Sequence, residues 1–138
     1  MADTPETKHA ILTWQGDMRF SGGEPGRPWV AIDADNATAP GPMVLLLLTA
    51  ASCSAADAVS ILKKMQVDLR SLEVRMEGDR RVEHPKRYTA IRFAWHLKGG
   101  GLDEAKARRA IDLSMEKYCS VVHSLAPDIA LSYALHLG

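Results

Sequence analysis

The apolar and polar positions of the first third of the chain fall into short strand-like segments. The stretches 9–14 and 17–21 are separated by Gln15-Gly16, a dipeptide suited to a tight turn, and Trp29 to Asp33 reads as a third strand. Gly22, Gly23, Pro25 and Gly26 lie between the second and third. That run invites comparison with a phosphate-binding loop, but no helix follows it directly and no Lys-Ser/Thr pair closes it, so a hairpin loop is expected. A second loop of small residues covers 35–41. From Pro42 the pattern changes to helical. Pro suits the first helical position, and Leu45 to Leu48 followed by Ala50 and Ala51 are strong helix formers. The pattern runs through Val59, Ile61 and Leu62 to end near Met65, with Lys63 and Lys64 complementing the C-terminal dipole. A helix over 42–65 would measure ~36 Å, comparable to the diameter of a globule with a radius of gyration of roughly 14 Å. It is apolar on every side up to Ala51, so it is expected to be central and to need cover all round.

Strand patterning then resumes. Leu72, Val74 and Met76 alternate with Glu73, Arg75 and Glu77, and Ile91, Phe93, Trp95 and Leu97 alternate with Arg92, Ala94 and His96. Gly78-Asp79 and the His84-Pro85 region are expected to connect the two. Asp103 is placed to cap a helix reaching about Tyr118, with Ala107, Ile111, Met115 and Cys119 on its inner face, and Ile129, Leu131, Tyr133 and Leu135 form a last strand. Strands grouped in blocks predict an α+β fold rather than an alternating parallel sheet.

Length predicts a single domain over 1–138. Lys+Arg 17 balance Asp+Glu 17, which leaves no basic footprint for nucleic acid. The longest apolar stretch, 42–51, is interrupted at Thr49 and falls short of the ~18 residues of a membrane span. The polar, slightly acidic N-terminus shows no signal peptide. A soluble, cytoplasmic protein is expected, in a compartment that keeps thiols reduced.

Two cysteines cannot build a disulfide scaffold, but they could form a redox pair. Cys53 lies midway along the long helix among small residues, and Ser52 and Ser54 beside it are unusual choices for a packed core. A buried, inert thiol is the ordinary fate of such a cysteine. The alternative is a nucleophile whose sulfenic acid is resolved by Cys119, in a peroxide-reducing pair. A metal site using Cys119, His123 and Cys53 is the weaker reading, because the clustered ligand pairs of zinc sites are missing; no metal or cofactor is expected. His9, His84, His96 and His136 occur singly, and no Ser/His/Asp set or paired carboxylates stand out. A reactive thiolate needs a lowered pKa. Cys53 is three turns from its helix N-terminus, and Asp57 on the same face would oppose ionisation. An arginine from elsewhere is therefore required, with Arg19 the candidate and Arg27 in reserve.

Several of these segments resemble the OsmC/Ohr family. Gly41-Pro42-Met43, Leu45-Leu46-Leu47, Ser52-Cys53-Ser54 and the stretch 57–64 are similar to its first cysteine motif. The stretch 113–121, around Cys119, is similar to the second, and 14–20 to its N-terminal hairpin. The resemblance implies an OsmC-like fold, with antiparallel sheets wrapped around long central helices in an intertwined homodimer. It also implies a thiol peroxidase for organic hydroperoxides, with Cys53 attacking, Cys119 resolving, Arg19 activating and a dithiol as reductant. Where the family usually carries a Glu after the helix-opening Pro, this chain has Met43 and Val44. The alternative function is a non-catalytic apolar-ligand-binding or thiol-sensing protein of the same fold.

Overall fold

The computed structural model describes residues 4–138. The chain divides into two compact units that meet at the Leu45–Leu46 bond.

The first unit is an antiparallel meander of β1 (Ile11–Trp14), β2 (Arg19–Gly23) and β3 (Trp29–Asp33), in that order. Gly16 and Asp17 both adopt positive φ, +95° and +49°, and the Trp14 indole N–H donates to the Asp17 carbonyl at 2.8 Å. Asp17 is therefore part of the turn, and the second strand begins at Arg19, two residues later than its pattern suggested. After β3 the chain is held by one carboxylate. Asp33 accepts the Asp35 and Thr38 backbone N–H groups at 2.9 and 2.8 Å and the Thr38 hydroxyl at 2.8 Å. These donors, the Thr38 backbone N–H first, hold the Asp33 pKa down to about 2. Asn36 Oδ1 accepts the Gly41 N–H at 2.9 Å, and the chain enters its long helix at Pro42.

That helix, α1 (Pro42–Lys64), continues into the second unit. Its buried positions, Ala50, Ala51, Ser54, Ala58 and Leu62, recur at helical spacing and make one face. The expected cover all round is absent in the single chain, since Val44, Leu48 and Val59 are 38%, 41% and 43% exposed. The whole helix, unlike its longest apolar stretch, is long and apolar enough to cross a membrane by length and composition. The zero exposure of Ala50, Ser54, Ala58 and Leu62 is instead the packing of a core helix. Gln66, at φ +62°, turns the chain out of α1, and the Val67 N–H donates back to the Leu62 carbonyl at 3.0 Å.

A long hairpin follows, β4 (Asp68–Arg80) and β5 (Tyr88–Gly100), joined by residues 81–87. Gly78 and Asp79, expected in the connection, lie inside β4. The Tyr88 ring and a Leu47 methyl fill the space a Gly78 side chain would need, and Asp79 is clamped by the Arg92 guanidinium across the strands at 2.8 and 2.9 Å. The inward residues of β5, Ile91, Phe93, Trp95 and Leu97, are at most 1% exposed and centre the core. The last strand, β6 (Ala130–Leu137), pairs with β5 in parallel, from Ala90 opposite Ala130 to Leu97 opposite Leu137. The architecture is α+β with two three-stranded sheets and a long central helix, as the grouped strands implied.

Between β5 and β6 the helix expected to reach Tyr118 is divided into an α-helical part and a π turn, and a further short helix follows it. Asp103 caps α2 (Glu104–Leu113) by accepting the Lys106 N–H at 2.8 Å. A π-helical turn follows at Ser114–Tyr118, closed by the Cys119 N–H to the Ser114 carbonyl at 2.7 Å, and then the short α3 (Ser120–Ser124). The inward stripe keeps the usual helical spacing to Ser114, and the extra residue in the π turn then carries it to Cys119 instead of Tyr118. Ala107, Ala110, Ile111, Ser114 and Cys119 are buried, while Met115 is only half-buried.

Candidate thiol site

Within the second unit the two cysteines meet. The sulfurs of Cys53 and Cys119 and a carboxylate oxygen of Asp57 all lie within 4.8 Å of one another. Helical periodicity explains the α1 half of the cluster, because Cys53 and Asp57 are four residues apart and share a face. The π turn explains the other half. It ends at Cys119, whose extended backbone (φ −71°, ψ 101°) breaks the helix and points the thiol at α1. Cys119 Sγ lies 3.9 Å from the Ala50 carbonyl oxygen, a weak donor contact, and accepts the Val122 N–H at 3.4 Å.

The thiols differ in environment. Cys53 is half-buried, whereas Cys119 has no exposed surface. Burial, only partly offset by the Val122 N–H, pushes the Cys119 thiol up to about 11. Hydrogen bonding and charge from Cys53, and then the Asp57 charge, act in the same direction. Cys119 is therefore a neutral thiol at physiological pH.

A buried hydroxyl relay underlies the cluster. Ser114 Oγ donates to Asp57 Oδ2 at 2.9 Å and stands 3.0 Å from Ser54 Oγ, both serines being fully buried. With its single proton on Asp57, Ser114 accepts from Ser54, so the relay runs Ser54 to Ser114 to Asp57. Asp57 also lines a pocket of about 560 Å³ with Ile61, Lys64, Met65, Arg109 and Leu113.

Of the residues singled out on sequence, Cys53, Cys119 and Asp57 come together. His123 is exposed on α3 and is not part of the cluster. Arg19 belongs to the first unit, where it opens β2 opposite Asp33 and stands 3.7 Å from the Asp17 carboxylate, half exposed. Arg27 is exposed in the β2–β3 loop. The residue that sequence reasoning missed is Ser114. A strict four-residue spacing puts Met115 inward, whereas the ordinary alternation of three and four that buries Ala107, Ala110 and Ile111 also buries Ser114. Ser54 did carry a signal, as a hydroxyl in an otherwise apolar helix.

An α+β protein with one thiol on a long central helix and a second presented by a helix break defines a recognisable class. A family model for OsmC-like protein matches residues 34–134. Protein YhfA of Escherichia coli strain K12 is 35% identical over 126 residues, 91% of this chain and 94% of YhfA. The chain belongs to the OsmC-like family. A crystal structure of a hypothetical protein from Aquifex aeolicus is 28% identical and superposes with a TM-score of 0.83, covering 97% of this chain and 99% of that one. The organic hydroperoxide resistance protein OhrB of Bacillus subtilis shares the fold at a TM-score of 0.60 and 16% identity, with 96% and 98% covered.

Proposed function

We propose that this protein reduces organic hydroperoxides at the expense of a dithiol, through a two-cysteine cycle. The observation that carries this reading is a half-buried thiol and a wholly buried one with their sulfurs within 4.8 Å. In the first step the Cys53 thiolate attacks the hydroperoxide. The O–O bond breaks, the alkoxide takes a proton from solvent and leaves as the alcohol, and Cys53 becomes a sulfenic acid. Cys119 then attacks the Cys53 sulfur. Its proton passes by way of the nearby Asp57 carboxylate to the departing hydroxide, so that water leaves and a disulfide forms. A small rotation of the side chains closes the gap to the ~2.05 Å S–S bond. Two thiol–disulfide exchanges with the dithiol restore the pair. By resemblance, Arg19 supplies the guanidinium that favours the Cys53 thiolate. OhrB, named for organic hydroperoxide resistance, supports the substrate class through its shared fold.

The reading includes a homodimer, a cytoplasmic location and the whole of 1–138 working as one domain. Val44, Leu48 and Val59, apolar and exposed on α1, support a second copy as the missing cover. Light scattering should give twice 15.1 kDa. The activity is tested by mixing purified protein with cumene hydroperoxide and a dithiol, then mapping disulfides by mass spectrometry without reduction. A Cys53–Cys119 linkage and peroxide loss are expected. Sulfinic acid at Cys53 with Cys119 still free would remove the resolving role.

A second reading, a thiol sensor that is oxidised without rapid turnover, is favoured by one observation. Asp57 is an acid beside both sulfurs and disfavours ionisation of Cys119, and Met43 and Val44 stand where the peroxidases of the family usually carry a Glu. Oxidation by a single equivalent of hydroperoxide with no sustained dithiol-dependent consumption would select it.

A further inference from the structure

In the proposed peroxide cycle Asp57 only carries a proton, yet its carboxylate oxygen stands within 4.8 Å of both sulfurs, where it is equally placed to act as a ligand. Two thiols and a carboxylate, each offering one ligand atom, converge within 4.8 Å of one another. From this geometry we propose that Cys53, Cys119 and Asp57 together bind one soft divalent cation of the zinc class, with a fourth position left for water. The donor set fits the ion: two thiolate sulfurs and one carboxylate oxygen form a three-ligand site with an open position. Tetrahedral bonds of ~2.3 Å to sulfur and ~2.0 Å to oxygen set donors roughly 3.5–3.8 Å apart, so the cluster need contract by only about 1 Å.

The surroundings are those of a prepared site. The Ser114 hydroxyl holds the Asp57 carboxylate at 2.9 Å and is itself held by Ser54, which fixes a ligand oxygen from behind as outer-shell partners do. The Val122 N–H at 3.4 Å similarly orients the Cys119 sulfur. Binding replaces two S–H protons, which pass to buffer, by two metal–sulfur bonds. The site then carries +2 from the ion and −3 from its ligands, a net −1. Coordinated in this way, Cys53 is no longer a free nucleophile and Cys119 cannot reach it, so the metal-bound protein is a reduced, chemically silent form. This proposal does not rest on the peroxidase reading, because the ion needs only the three side chains. It also replaces the sequence-level candidate His123, which lies exposed on α3, with Asp57.

The test uses the full chain, reduced and stripped of metal by a chelator, titrated with Co²⁺ and Cd²⁺ and read by absorption rather than activity. One equivalent per chain should bind, with a sulfur-to-metal charge-transfer band and, for Co²⁺, the intense visible bands of tetrahedral geometry. Cys53→Ser and Cys119→Ser should each lose at least half of the charge-transfer intensity. Asp57→Asn should weaken affinity about tenfold or more, and His123→Ala should change nothing. Binding without a charge-transfer band would overturn the proposal, as would undiminished binding by Cys53→Ser, one metal per two chains, or a loss in His123→Ala. If Cys119→Ser unfolds, Cys53→Ser still decides the matter, because Cys53 is half-buried on an intact helix. Circular dichroism identifies which variants fold.

Discussion

The two regions that supply the thiols follow different physical rules. Cys53 stands on a regular helix, and its place follows from the 3.6-residue period and small neighbours that leave the sulfur half open. Cys119 stands at a defect. A π turn, an extended backbone at the cysteine itself and a five-residue helix after it are needed to bury the sulfur completely. An open thiol on a rigid element suits the encounter with a bulky hydroperoxide, whereas a buried thiol at a helix break suits a single intramolecular attack that follows local movement. On the proposed peroxidase reading, this asymmetry favours α1 as the carrier of the attacking sulfur and the π turn as the carrier of the resolving one.

The sharpest way to break that assignment is to remove each sulfur in turn. Cys53→Ser should abolish hydroperoxide consumption, a loss of several orders of magnitude in kcat/KM. Cys119→Ser should consume one equivalent per chain and then stop, with Cys53 recovered as sulfenic or sulfinic acid by mass spectrometry. The reverse pattern, with Cys119→Ser dead from the first turnover and Cys53→Ser active, would exchange the roles.

The next largest effect concerns the hydroxyl relay that ties the two regions together. Ser114→Ala removes in one step the donor to the half-buried Asp57 and the acceptor for the fully buried Ser54. Leaving buried polar groups unsatisfied costs about 1–3 kcal/mol each, so urea unfolding should show a loss of that order. The same change at Ser120, which is exposed, should be close to neutral. If Ser114→Ala were also neutral, the relay would contribute nothing to joining the helix break to α1.

How far these regions could be read in the sequence follows the same division. Strand alternation in β4 and β5 and the course of α1 were legible because each obeys a single period over many residues, and Cys53 and Asp57 could be placed on one face by counting. The Asp17 turn was not, since its left-handed backbone leaves no composition signal beyond the preceding glycine. Gly78 misled for the opposite reason. Glycine is ordinarily a turn residue, but here it makes room for Tyr88 in mid-strand. The π turn was invisible because one inserted residue changes the period without changing the residue types. Ser114 was lost because a strict four-residue spacing skips it, while Cys119 remained inward by a route the simple period did not contain. The exposed apolar positions of α1 were predicted in kind, as a helix needing more cover than one chain gives.

Alkaline pH should sharpen the contrast further, in reduced protein kept metal-free with a chelator. Cys119 ionises ordinarily at 9.0 but only at about 11 in the fold, so the fold favours its neutral form. Above pH 9 the unfolded chain gives up this proton and the folded chain keeps it, which draws the equilibrium towards unfolding. The stabilisation linked to the neutral thiol is complete below pH 9 and is lost as pH rises through 11. Thermal unfolding midpoints should therefore decline over that window, and Cys119→Ser should flatten the decline relative to the parent.

The smallest expected effect separates charge from burial as the origin of that raised pKa. Burial is the leading cause at Cys119, the Val122 N–H opposes it, Cys53 adds to it, and the Asp57 charge contributes least. Asp57→Asn removes the charge while its side-chain oxygen still accepts the Ser114 hydroxyl, so the relay and the packing are preserved. With Cys53 replaced by Ser in both proteins, Cys119 is the one thiol left, and its ionisation can be followed by thiolate absorbance. Introducing Asp57→Asn into that background should lower the Cys119 pKa, because a negative neighbour no longer opposes the thiolate. The value should stay above the ordinary 9.0, because the buried surroundings are unchanged. A fall to 9.0 or below would mean that the carboxylate, not the helix break, keeps Cys119 neutral. The neutrality of this thiol would then originate on α1, four residues beyond Cys53, and the division between the two regions would no longer hold.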